Sequence, residues 1–348
     1  MDKRLLVFLN SCSENLKSKI QNLKWGGILA IAITFAIGGA VVHAQQPVKP
    51  RRVGLLLQGT STSLETRLEG FQQGLRERGY VDGKNIVLEQ RYDDDREERL
   101  AALAAELVSL RVEVIVAAAT PAVIAAKQAT ATIPIVIVHS ANPVALGLVN
   151  SFARPGVNVT GLSSASPDYS GKQLELLKEA IPKLSRIAIL WNAANPGTAI
   201  AFREMQDAVR VLKLPVHSLE VRRSEDLAPV FKNIPRQRGM GLVTLLDPLV
   251  VSQRARIVEL ASESRLPAIY PTKDFVEAGG LMAYGADLTD SYRRAAIFMD
   301  KILKGAKPAE LPLEYPTKFT FTVNLKTAAQ IGVTIPPTVL ARADKVIK

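Results

Sequence analysis

The chain is poor in the residues that most protein chemistry needs. Its 348 residues hold one cysteine, Cys12, and three histidines, His43, His139 and His217. A single thiol excludes an internal disulfide, so stability must come from packing. No His-x-x-x-His pair and no cysteine cluster occurs, which argues against a zinc site and leaves no metal to expect. Catalytic signatures are absent too. No Gly-x-Ser-x-Gly elbow, Walker loop or Gly-x-Gly-x-x-Gly follows a strand-like run. No nucleophile stands beside a base, so neither an enzyme nor a cofactor is expected. Aromatic residues make up only 5%. None is interleaved with a basic stripe, and no helix-turn-helix is evident, so nucleic acid is not an expected partner.

What is present begins at the amino end. A short, net-basic head runs into an apolar segment from Trp25 to Val42, followed by Val42-His43-Ala44 and then Gln45-Gln46-Pro47. A charged region, an apolar region and a small residue at the cut form the layout of a secretory signal peptide, residues 1–44. Lys17, Lys19 and Lys24 would hold that end in the cytoplasm. An uncleaved anchor is the alternative, because the run nearly spans a bilayer. Cleavage after Ala44 would release a chain with no cysteine into the periplasm. Cys12 precedes the apolar run, where a lipid-bearing cysteine would follow it.

The formal charge is +11, of which +3 belongs to the head, leaving +8 interspersed over the rest. About 300 residues from Gln45 are enough for two lobes rather than one core. From Arg52 onward short apolar runs alternate with segments of helical spacing. Val53–Leu57, Ile86–Tyr92, Val114–Ala117 and Ile133–Val138 read as strands. Between the first two, Leu64, Leu68, Phe71 and Leu75 mark a helix that Gly79 stops. The rhythm pauses near Asn158 to Ser163 and then resumes for a second series. Alternation of this kind specifies an α/β fold of two Rossmann-like lobes, each a parallel sheet flanked by helices. The long tail carries its own strand, Phe319–Val323, so the chain is expected to cross between lobes more than once. The expected division is 51–161 plus about 285–348 for one lobe and 162–284 for the other.

In such sheets ligands bind beyond the carboxyl ends of the strands. The residues there are small and polar. Thr60, Thr120, Ser140 and Asn142 follow strands of the first lobe; Asn192, Asn195 and Asp247 follow strands of the second, and Tyr284 lies near a crossover. Hydroxyls, amides and helix-start N–H groups suit a carboxylate or a sugar oxygen. Capping and turn formation use the same residue types. Asp247 could receive a ligand ammonium or serve as the cap of the next helix. Asp287 reads more readily as a cap. Tyr270 and Trp191 are further candidates for aromatic contact, Trp191 more naturally as core. Asp93-Asp94-Asp95 reads as a solvated turn rather than a hard-cation site.

Several runs carry a resemblance. Ile133–Val138, Asn142-Pro143-Val144, Gly147-Leu148-Val149 and Ala153–Gly161 are similar to segments of substrate-binding proteins of an ABC-transporter family related to the branched-chain amino-acid receptors. The tail resembles it as well, through Pro312–Phe319, Asn324–Ala328, Ile335-Pro336-Pro337 and Leu340–Ile347. The family often has Asp-Pro-Val where this chain has Asn142, and a second glycine where it has Val157. The resemblance implies a type I periplasmic binding fold with a multi-crossover hinge. It also implies a monomeric receptor that captures a small polar ligand, an amino acid or related organic acid, and hands it to an inner-membrane ABC permease. A sensory module for a membrane kinase or chemoreceptor needs the same cleft. An exported α/β hydrolase would need a nucleophile that the loops do not supply.

Overall fold

The computed structural model describes residues 50–348 apart from 165, 167 and 236–238. The proposed signal peptide or anchor, and its cleavage point, lie outside the described residues. No helix among those described is long and apolar enough to cross a membrane.

Each apolar run becomes a strand because both of its faces can be covered. The first sheet holds β1 (Arg51–Leu57), β2 (Ile86–Tyr92), β3 (Val114–Ala118), β4 (Ile135–His139) and β5 (Val159–Gly161). Its order is β2-β1-β3-β4-β5, and every pairing is parallel. The connecting helices are α1 (Ser61–Arg76), α2 (Leu100–Ser109) and α3 (Thr120–Ala129). Side chains alternate across the sheet. Val53, Leu55, Leu57, Val114 and Val116 join one core, while Leu56, Ile115 and Ala117 join the other with α2 and α3. The three-residue β5 lies in the stretch where the sequence pattern only pauses, and it was not expected there.

The second half runs α4 (Tyr169–Ala180), β6 (Arg186–Asn192), α5 (Pro196–Val211), β7 (Val216–Val221), α6 (Leu227–Lys232) and β8 (Met240–Thr244). It continues through α7 (Pro248–Ser252), α8 (Arg254–Glu263), β9 (Ala268–Tyr270), α9 (Lys273–Glu277), β10 (Met282–Ala286) and α10 (Leu288–Leu303). The remainder is β11 (Phe319–Asn324), α11 (Leu325–Ile331), α12 (Pro337–Leu340) and β12 (Lys345–Ile347). The second sheet has the order β12-β11-β10-β9-β8-β6-β7 and is parallel except between β10 and β11.

The expected lobe division needs correction here. Only α10 and its following loop return to the first lobe. Tyr292, Ala295, Ala296, Phe298, Met299 and Ile302 of that helix cover one face of the first sheet. The tail then goes back. β11 and β12 extend the second sheet, where Phe321 and Val323 pack against Ile189, Ile269 and Met282. The apolar face of β11 has a partner only there, so residues beyond about 319 belong with the second lobe rather than the first. We therefore propose that the lobes divide as 51–161 with 288–313, and 169–286 with 319–348.

The connections between lobes run side by side. The Ser163 N–H donates to Glu314 O, and the Glu314 N–H donates to Gly161 O, each at 3.0 Å. Asp287 N–H donates to Lys318 O at 2.9 Å, and the Lys318 ammonium lies 2.8 Å from the Asp287 carboxylate. Asp287 also caps α10 by accepting from the Asp290 N–H, the role its sequence suggested.

Helices α1 and α10 approach so closely that α1 needs glycine at the contact. A Cβ at Gly74 would stand 2.3 Å from Arg293 O, and one at Gly70 would stand 2.5 Å from Thr289 O. Alanine is the better intrinsic helix former by about 1 kcal/mol. The clash should reverse that preference. Gly74→Ala is expected to lower unfolding free energy by about 1–3 kcal/mol, the usual cost of overpacking, as read from urea melts against the parent.

Candidate functional site

The carboxyl ends of both sheets open on one cavity of about 1130 Å³, larger than the several hundred Å³ typical of small-molecule sites. Part of that volume is a groove running outward between α4 and α5, past Lys178 and Val211. The inner part is walled by the loops that follow the strands.

On the first lobe, β3 ends in a bulge against β4, with the register shifting between Ala117 and Ala118. Ala119 then adopts φ 78° and ψ 154°, a region that favours glycine. Such backbone costs on the order of 1–3 kcal/mol and persists only where the surroundings impose it. Here the Ala119 N–H donates to His139 O at 3.1 Å, and the turn aims the start of α3 into the cavity. Thr120 and Ser140 share a hydrogen bond of 2.9 Å between their hydroxyls. Thr120 Oγ1 also accepts from the Ala141 N–H, and the Ser140 hydroxyl reaches Ala141 O at 3.1 Å.

On the second lobe the centre is Asp247, 1% exposed. Its Oδ1 accepts from Asn192 Nδ2 at 3.1 Å and from the Leu249 and Val250 N–H groups. Its Oδ2 accepts from Asn195 Nδ2 at 2.8 Å, which leaves that oxygen a free lone pair. Burial pushes the Asp247 carboxyl up, and the hydrogen bonds from Asn195, Asn192 and the two N–H groups pull it back. Asp247 caps α7, one of the two roles its sequence suggested, and it also lines the cavity.

Of the candidates drawn from sequence, Thr120, Ser140, Asn142, Asn195 and Asp247 line the cavity. Three do not. Thr60 closes a capping box with Ser63 at the start of α1. Asn192 is buried behind Asp247, which it holds, and its own Oδ1 accepts from the Ala194 N–H. Tyr284 of β10 stacks with Tyr169 and with Phe319. Tyr270 stacks on Phe275 in the second core, and Trp191 on Phe202, so neither is a wall. Asn142 sits at the mouth, where its Nδ2 donates to Glu204 Oε1 of the opposite lobe at 3.1 Å. Asp93 is not solvated. It is fully buried, and its Oδ1 holds the Gly59 N–H at 2.7 Å and the Asp95 N–H at 3.1 Å. No group of three or more His, Cys, Asp or Glu among the described residues could hold a metal.

Sequence reasoning missed a second set. Arg67 lines the cavity with its side chain 13% exposed, and one nitrogen of its fork pairs with Asp274 of the other lobe at 3.0 Å. Leu64, Arg67 and Phe71 fall on one face of α1, so a charge on the apolar stripe was the available signal. His139 and Tyr292 stand beside it, with rings 6.2 Å apart. Gln58, immediately after β1, lines the cavity too. The cavity therefore has a guanidinium from one lobe and a buried carboxylate from the other, and Leu64, Leu245 and Tyr292 are among its apolar lining.

The lobes touch across the cavity at the starts of α3 and α5. A Cβ at Gly197 would stand 2.6 Å from Thr120 Oγ1. Gly197 is the second residue of α5, where alanine is locally harmless. Gly197→Ala should leave the melting temperature unchanged or raised, yet block full approach of the lobes. Affinity for an enclosed small molecule should fall ten-fold or more by calorimetry.

Burial, with the nearby Arg67 charge, pushes the His139 imidazole down to about 3, from an ordinary value of 6.5. Below pH 6.5 the unfolded chain binds a proton that the folded chain refuses. Stability from this group is complete above that pH and is lost as pH falls toward 3. Between pH 7 and pH 5 it amounts to about 2 kcal/mol. The parent should lose that much more than His139→Gln when urea melts at the two pH values are compared.

The description "ABC transporter substrate binding protein" matches residues 54–347. The tyrosine-binding protein of Clostridioides difficile strain R20291 is 27% identical over 271 residues, 76% of each chain. The ABC domain from Streptococcus pneumonia in complex with L-Trp is 27% identical, with TM-score 0.80 over 86% of this chain and 100% of that one. The ligand-free, open structure of a Clostridium difficile substrate-binding protein with adhesive properties is 25% identical, with TM-score 0.64 over 86% and 99%. The higher score falls on the ligand-bound relative and the lower on the open one, in keeping with lobes that already touch at Thr120 and Gly197. More distant periplasmic binding proteins share the fold.

Proposed function

The chain belongs to the ABC transporter substrate-binding protein family, and we propose that it captures an amino acid between its lobes and delivers it to an inner-membrane permease. One observation carries this reading. A buried carboxylate, Asp247, and a mostly buried guanidinium, Arg67, line the same cavity. Opposite charges from the two lobes of one cavity complement a zwitterion. Desolvation makes each charge-assisted bond stronger than it would be in water. The hydroxyl pair Thr120–Ser140 and the start of α3 complete the first-lobe wall.

The relatives that bind tyrosine and tryptophan support an aromatic amino acid. The ligand favours the closed state because only there do both walls reach it. The protein acts as a monomeric carrier and performs no chemistry on its cargo. Export follows from the signal-like head, with cleavage after Ala44 placing the chain from Gln45 in the periplasm.

Thermal-shift measurements on the purified protein test the ligand class. The twenty L-amino acids, their deaminated acids and common sugars form the panel. At a hundredfold excess over Kd, a true ligand should add about 2.7 kcal/mol of stability. Stabilisation by an amino acid is expected. Stabilisation by sugars alone, or by nothing in the panel, would overturn the reading.

A further inference from the structure

Gln58 is the cavity-lining residue with an unmet need. Its Oε1 is buried and accepts no hydrogen bond among the described residues. A buried acceptor without a donor is costly, so an orphan at a ligand cavity needs a reason. The amide is not free to turn. Its Nε2 donates to Glu97 Oε2 at 3.2 Å. A carboxylate accepts and cannot donate, so it holds the NH2 end toward itself and leaves the carbonyl end facing away.

Burial and then the Asp247 charge push the Glu97 carboxyl up. Gln58 and Asp247 line the same cavity from opposite sides. Asp247 Oδ2 keeps one lone pair after Asn195, and Gln58 Oε1 keeps both of its own. Each lobe therefore brings to the cavity a residue with an acceptor lone pair to spare, and Glu97 holds one of the two in orientation. A primary ammonium supplies three donors and the charge that Asp247 favours.

We infer that Gln58, held in orientation by Glu97, closes with Asp247 on the ammonium of the ligand and so selects amines over their deaminated counterparts. This rests on the amino-acid reading above and assigns the first lobe's share in it. Gln58 touches the ligand; Glu97 is a positioning residue that acts through it. Because the two acceptors come from different lobes, the ammonium is fully bonded only when the lobes meet. Amine recognition is thereby tied to closure.

The test compares two pairs of probes by calorimetry: L-tyrosine with 3-(4-hydroxyphenyl)propionate, and L-tryptophan with indole-3-propionate. The parent should prefer the amine of at least one pair. Gln58→Met should cut that preference ten-fold or more, while the affinity for the deaminated acid stays within two-fold. Glu97→Gln should cut the preference in the same direction by a smaller factor, since the Gln58 amide can then turn. If Gln58→Met weakens both members of a pair equally, or leaves the preference intact, the inference is wrong and the amino-acid reading stands. If the parent binds neither amine, the pair is formed from the amino acid that stabilises it in the thermal-shift panel and that acid's deaminated counterpart; if no amino acid stabilises it, both readings fall. Should Gln58→Met lose its cooperative melt, the Glu97→Gln comparison decides by the same criteria.

Discussion

A carboxylate taken out of water must be repaid in hydrogen bonds, and Asp247 gathers the second lobe's loops to meet that demand. Asn192 ends β6, Asn195 begins α5, and Leu249 and Val250 begin α7; all four point donors at one side chain. Two strand ends and two helix starts are thereby fixed within a few ångströms of each other. The Asn195 side chain also caps α5 through the Gly197 N–H at 2.8 Å. That places Gly197 where the first lobe can touch it. The position of the charge, the aim of the helix and the lobe contact are consequences of one buried acid.

The first lobe meets this arrangement with strain rather than with charge. The left-handed backbone at Ala119 turns α3 toward the cavity, and the bonded Thr120–Ser140 hydroxyls hold the adjoining loops together. Arg67 brings a mostly buried positive charge to the cavity, shared with Asp274 across the lobes. At the mouth, Asn142 reaches Glu204. An aspartate at position 142 would repel that glutamate, so the neutral amide suits a closed mouth in this chain. Recognition and closure use the same surfaces.

Much of the fold was legible because its strands are buried on both faces. Runs such as Val53–Leu57 and Ile135–Val138 have no polar face to confuse with anything else. Strand ends were legible for the same reason, and five of the eight chosen residues line the cavity. The residues that lie off the cavity do so for physical reasons. Thr60 satisfies its own helix start, and Tyr284 has aromatic neighbours on α4 and β11 that lie far from it in the chain. Arg67 hid on a helix, where a lone charge looks like surface. β5 was too short for periodicity to register.

The sequence alone determined the alternation of strand and helix, the two-lobe plan and the small polar character of the cavity loops, because each depends on local pattern and turn chemistry. Only tertiary structure decided that β11 and β12 complete the second sheet while α10 covers the first. An apolar face does not name its partner until neighbouring strands compete for it. The same holds for the site. Which acid is buried, which amide is left without a donor and which glycine meets a threonine across the cavity depend on distances between residues far apart in the chain. No local spacing encodes those distances; the packing of two sheets against shared helices sets them.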